Sequence, residues 1–313
     1  MDGITEKVPI GSIAREKQVS PKGFRVPPLT LFVAAMAVLA LCFAKPLYDV
    51  IRLSLQDDMY SHCPLVPAIS AYLIWTRRKQ LPGVSNGPVL LTVAGLLTGG
   101  LLLVAPMVLG VGEPIATLDF RLLSLLVFGT TAVSAILGFS FVRSIAFPIA
   151  FLLFALPLPP ALINPMEIAS QHASAEVYSW MLDLSRSTYF REGLVFVLPG
   201  LSLQVAQECS GIRSSFVLFM VSLLASYMFL NSPRRRLALA LFVFPLGIIR
   251  NAFRIFALSM LTIHWDPRVI DSALHHKGGP IFFAISLIPF SLFLMWLCRS
   301  ERKSHSETKP TAR

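Results

Sequence analysis

The chain has 313 residues, of which 55% are hydrophobic and only 14% charged, and its mean hydropathy is +0.68. Soluble domains carry roughly 25% charged residues, so this chain has too little polar surface for one and reads as a polytopic membrane protein. The net charge of +10 would suit a nucleic-acid binder, but the excess lies in tails and short loops beside apolar runs; it marks membrane topology and attraction to anionic membrane lipids, and no nucleic acid is expected as a partner.

In chain order, apolar runs fall at 28–45, 62–76, 88–110, 122–142, 144–161, 209–230, 237–262 and 279–298. Most are long enough to cross about 30 Å of hydrocarbon, and together they predict an all-α helical bundle of about eight transmembrane helices. The bundle occupies 27–299 as one domain, between polar tails at 1–26 and 300–313 whose composition suits disorder. The first run follows a long polar leader, and Leu41 rather than a small residue precedes Cys42, which predicts an uncleaved span and not a signal peptide.

Basic residues beside the spans set the orientation, because cytoplasmic loops retain positive charge. Lys7, Arg15, Lys17, Lys22 and Arg25, then Arg77-Arg78-Lys79, Arg143, Arg234-Arg235-Arg236 and finally Arg299, Arg302 and Lys303 all fall on one side of the predicted spans. This places both termini in the cytoplasm, with the protein in the inner (plasma) membrane. Segments 46–61, 111–121, 162–208 and 263–278 then face outward.

The longest outward segment begins after Pro157, Pro159 and Pro160, which terminate the preceding helix. Ile168, Val177, Trp180, Met181 and Leu184 among polar residues predict an amphipathic helix at the outer interface. Gly193, Pro199 and Gly200 in "EGLVFVLPGLSLQVAQE" then predict a short β-hairpin before the helix that carries Cys209.

"QECSGIRS" follows, placing Cys209 where the next helix begins, at about Glu208 to Gly211. A helix N-terminus favours a thiolate, and Arg213 adds positive charge one turn on. Gly211 permits close approach of backbone or substrate. The alternative is an inert buried cysteine.

In the next run, Arg254 lies 18 residues beyond Arg236, roughly 27 Å along a helix, and Arg250 and Asn251 sit one turn nearer the cytoplasm. Charges at such depth are rarely without function, although Arg254 could instead reach the outer headgroups and Arg250 could pair with a carboxylate. Pro245 and Gly247 predict a break in this helix. His275, His276 and Lys277 precede the last span and share the outer level with Cys209 and Arg254, which permits a thiol-activating arrangement.

The four cysteines show no paired C-x-x-C spacing and the six histidines no H-x-x-x-H face, so neither a disulfide framework nor a metal site is predicted, and no cofactor.

The stretches "YSHCPLVPAISAYLIWTRRKQ", "FPIAFLLFALPLPP", "GLVFVLPGLSLQVAQECSGIRSS", "NAFRIFAL" and "LHHKGGPIFF" resemble, in order, the signatures of the exosortase/archaeosortase family of multi-spanning membrane cysteine transpeptidases. The resemblance implies Cys209 as nucleophile, with Arg254 and His275 as its catalytic partners. His275 is chosen over His276 because His275 to Gly279 fits the family's H-x-x-x-G spacing. Arg213, Arg250, Asn251, His276 and Lys277 are the candidates for holding substrate.

The implied substrate is an exported protein ending in a short PEP-CTERM-like motif, a transmembrane helix and a basic tail. The implied second substrate is a lipid or glycan amine of the cell envelope. Water as acceptor would make the protein a processing protease. A transporter or export-machinery subunit is the alternative from another class, and its signature would be discontinuous helices in repeated halves.

Overall fold

The computed structural model describes residues 27–85, 87–205, 211–265 and 279–307. Cys209, His275, His276, Lys277 and the tail at 1–26 lie outside the described residues.

The bundle is almost wholly helical. Among the described residues, five helices are long and apolar enough to cross a membrane: α4 (Val89–Val108), α5 (Pro114–Leu137), α9 (Ile212–Phe229), α10 (Pro233–His264) and α11 (Gly279–Glu307). Two bent pairs raise the number to seven if each is one span. The first joins α1 (Pro28–Cys42) to α2 (Ala44–Gln56) at 67°. The second joins the segment Ala146–Ala155 to α8 (Pro160–Leu184) at 86°.

The expectation of about eight spans therefore gives way to five to seven. The run at 62–76 holds only α3 (Leu65–Thr76), whose 12 residues reach about 18 Å. In the crowded 122–161 stretch α5 begins earlier than the hydropathy suggests and ends before Gly138, and two six-residue helices follow, α6 (Phe139–Ser144) and α7 (Ala146–Phe151), the second of which opens the bent pair with α8.

The basic clusters share one end of the bundle. Tyr227 at the end of α9 lies under the guanidinium of Arg77 at 4.2 Å and near that of Arg236 at 5.8 Å. Phe32 in the first turns of α1 packs with Leu81, Val142 and Ile145, which brings the Arg143 turn and the start of α1 to the same end. Glu301, almost fully buried, accepts hydrogen bonds from the backbone N–H groups of Asn231 and Ser232 at 2.8 to 3.2 Å and pairs with Arg235 at 3.5 Å. These contacts carry α11 on to Glu307. Residues 300–307, expected as part of a disordered tail, are helical because a buried carboxylate caps the turn between α9 and α10.

At the opposite end, α8 starts at Pro160, where proline's missing N–H is no loss. Three antiparallel strands follow, β1 (Phe190–Glu192), β2 (Val195–Leu198) and β3 (Leu201–Gln204), paired in the order β1-β2-β3. The predicted hairpin is thus a three-stranded meander. Its Phe196 and Leu198 are buried with Tyr178 and Leu182 of α8 and Ala252 of α10.

The amphipathic helix expected in this segment falls within α8. Ile168, Trp180 and Leu184 are exposed, Val177 and Met181 are half-buried against the core, and the fully inward positions include Gln171, Ser174 and Tyr178. In a membrane protein the outward face can be apolar, which frees the inward face for polar groups that hold neighbouring helices. Tyr178 Oη and Ser259 Oγ of α10 lie 2.9 Å apart on that face.

Helix α10 runs unbroken through Pro245 and Gly247, contrary to the predicted break. A transmembrane helix tolerates an internal proline where neighbours re-satisfy the backbone. At Gly247 a Cβ would lie 2.4 Å from Ser215 Oγ, so the missing side chain serves close packing of α9 on α10.

Candidate functional site

The site is built where α8, α9 and α10 converge, around the five residues 206–210 that link β3 to α9. Val205, on the near side, is 1% exposed. Its N–H donates to Leu194 O at 3.0 Å, and its carbonyl accepts a short hydrogen bond from Gln171 Nε2.

On the far side, Gly211 stands before α9 with φ +69°, and a Cβ there would lie 2.9 Å from Asn251 Oδ1. Both the left-handed backbone and the contact require glycine. The Gly211 carbonyl accepts from Arg250 Nη2 at 3.1 Å, from Ser214 Oγ at 3.1 Å and from Ser215 N at 3.0 Å. The same Arg250 nitrogen reaches Ser215 Oγ at 3.0 Å, and Asn251 Nδ2 donates to Ser174 Oγ at 3.0 Å. One arginine and one asparagine, adjacent on α10, thus tie the start of α9 to α8.

Arg250 is 7% exposed, and the partners of its Nη2 are neutral oxygens; its Nη1 is buried without a hydrogen bond. A guanidinium buried among neutral groups is costly, so it marks a place where the fold keeps a cation for a purpose. The carboxylate partner that the sequence allowed for Arg250 is not what holds Nη2. Arg254 follows one turn further along the same stripe of α10 and is half-buried.

Arg213 lies in the first turn of α9 and forms an ion pair with Asp58 at 3.2 Å, with side chains 55% and 86% exposed. His62 packs edge-on to Phe216, one turn further along α9, with centroids 5.2 Å apart. Asp58 and His62 therefore bring the segment before α3 against the helix that follows Cys209. Neither was singled out from sequence, where Asp58 lay within the outward segment 46–61. Gln171, Ser174 and Tyr178 were also missed, although their spacing of three and four residues is a helical stripe of polar groups within an apolar helix.

Cys63 offers a poor nucleophile. Burial, and then the nearby charge of Asp119, push the Cys63 thiol up to about 12, which keeps it protonated at neutral pH. Cys42 and Cys298 lie within α1 and α11. Among the candidates named from sequence, the structure brings together Arg250 and Asn251 at the start of α9, sets Arg254 one turn beyond them and places Arg213 at the rim. Cys209, His275, His276 and Lys277 fall outside the described residues, so their mutual contacts are not part of this geometry.

A family model described as transmembrane exosortase matches residues 54–292, a range that contains every site residue named above. No curated protein and no solved structure matches the chain.

Proposed function

Because the chain belongs to the transmembrane exosortase family, we propose that it is a cysteine transpeptidase in which Cys209 carries the acyl group of a sorting signal. The observation that best supports this reading is the double hold on the chain around Cys209. Val205 before it is fixed by Gln171, and Gly211 after it is fixed by Arg250 and Asn251. Such preorganisation is what a nucleophile needs if its attack is not to cost orientational entropy.

The Cys209 thiolate attacks the carbonyl carbon at the sorting motif, forming a C–S bond. The C–N bond then breaks, and the leaving amine takes a proton from His275, whose ordinary pKa near neutrality suits that task. Arg254 holds the oxyanion by a forked hydrogen bond; a guanidinium gives up protons too poorly to act as the acid. An amine of a lipid or glycan next attacks the thioester carbonyl, restoring the thiolate and passing its proton to His275. Arg213, exposed at the rim, is positioned to meet the signal, and His276 and Lys277 are the further candidates from sequence, whereas Asn251 is buried against Ser174 and Gly211.

In this reading the protein sits in the inner membrane with both termini cytoplasmic and the Cys209 end outward. The transporter alternative calls for discontinuous helices in repeated halves, and α10, where Pro245 and Gly247 predicted a break, is continuous.

Processing of a co-expressed substrate with a C-terminal motif, transmembrane helix and basic tail tests the assignment. Cys209→Ala is expected to lower processing by at least ~10³-fold and His275→Gln by ~10²-fold or more. Undiminished processing by Cys209→Ala contradicts it. The mass at the new C-terminus reads the second step, a free carboxylate meaning hydrolysis and an added amine mass meaning transfer.

A further inference from the structure

A cleft of about 390 Å³ opens between α2 and the first two turns of α5. Lys45, Asp49, Arg52, Gln56, Thr117 and Arg121 supply its polar lining, so three cations face one carboxylate. Lys45 occupies that carboxylate, its Nζ 3.0 Å from Asp49 Oδ2. Among the described residues, Arg52 and Arg121 make no hydrogen bond or ion pair, although Arg121 is half-buried in a membrane-spanning helix. The N-terminus of α5, which opens at Pro114 on the cleft wall, adds the positive end of a helix dipole.

The location makes this charge unusual. The far end of α5, at Leu137, is bonded to Ser85 near the Arg77 turn, so the cleft lies at the end of the bundle away from the basic clusters. Positive charge there is not explained by the orientation rule that accounts for the other clusters. It lies instead on a helix suited to a lipid surface. Tyr48, Ile51 and Leu55 form an exposed apolar face of α2, while Lys45, Asp49, Arg52 and Gln56 form the stripe that lines the cleft.

We propose that this cleft binds the phosphate headgroup of an anionic phospholipid. Arg52 and Arg121 grip the phosphate by forked hydrogen bonds, and the acyl chains lie along Tyr48, Ile51 and Leu55. Two residues beyond Gln56 the chain reaches Asp58, which pairs with Arg213 at the rim of the candidate site, so the bound headgroup steadies that rim. The site does not depend on the acyl-transfer reading.

The test uses the full chain in nanodiscs of phosphatidylcholine doped with phosphatidylglycerol, with bound lipid counted by native mass spectrometry, and inorganic phosphate as a separate probe in detergent. Wild type is expected to retain phosphatidylglycerol over phosphatidylcholine. Arg52→Gln with Arg121→Gln is expected to weaken that retention by roughly tenfold or more, while Arg186→Gln in the exposed turn after α8 leaves it unchanged. Arg121→Lys, which keeps the charge and loses the fork, is expected to weaken it about threefold and serves where the double variant does not fold. Loss in Arg186→Gln equal to that in the Arg52/Arg121 double variant, or loss in neither, overturns the site. Inorganic phosphate binding as tightly as the lipid overturns the headgroup assignment.

Discussion

At the scale of single residues, Gly211 is the most constrained described position beside Cys209. Its positive φ and the 2.9 Å approach of Asn251 Oδ1 to a built Cβ mean that Gly211→Ala must both strain the backbone and displace Asn251 from Ser174. The expected outcome is a loss of about 1–3 kcal/mol, read as a lowered Tm in detergent, with processing reduced more than Tm alone accounts for. Arg250→Lys keeps the charge but is one atom shorter, so its nitrogen does not reach the position from which Nη2 bonds both Gly211 O and Ser215 Oγ. It is expected to lower kcat by about tenfold or more with little change in KM, because it acts on the placement of the nucleophile and not on substrate. A change confined to KM would instead return Arg250 to the substrate-holding role read from sequence. Arginine at depth was legible as an oddity in the chain; that its partners are a carbonyl and a serine on α9 was not, because pairwise contacts between helices leave no periodic trace.

At the scale of elements, what could be read from sequence depended on how local the signal was. The prolines at 157–160 announced the start of α8, and Gly193 and Gly200 announced the turns of the meander, since both residue types act through their own backbones. The apolar residues that announced an amphipathic helix, Ile168, Trp180 and Leu184, face outward on α8, while the inward stripe of Gln171, Ser174 and Tyr178 went unread because a hydropathy pattern tuned to water looks for apolar residues inside. The continuity of α10 was misjudged for a related reason, a proline rule learned from water applied where neighbouring helices support the chain. The helical extension of α11 rests on Glu301, whose carboxylate gathers Asn231 N, Ser232 N and Arg235. Glu301→Gln should lose roughly 1.5–3 kcal/mol and fray residues 300–307, measurable as faster amide exchange there. Unchanged exchange would mean that the extension stands without the cap.

At the scale of the whole molecule, the membrane class and the sidedness of the basic clusters were legible, since both are set by composition and charge placement. The number of spans was not, because α3 is too short to cross and two other apolar runs bend sharply at a break. Contacts around Tyr227 and Glu301 put the basic clusters at one end and the Asp58–Arg213 pair at the other. If that basic end is cytoplasmic, a reporter active only in the cytoplasm should function when fused after the last residue and fail when inserted at Ser187 in the turn after α8. The reverse pattern would invert the proposed orientation.

The account's central claim is that Cys209 forms a thioester with the sorting signal, and trapping that bond tests it most directly. With hydroxylamine present, wild-type membranes should release substrate whose new C-terminus is a hydroxamate, and Cys209→Ala membranes should release none. Hydroxamate formation by Cys209→Ala, or processing by wild type that hydroxylamine never intercepts, would contradict it.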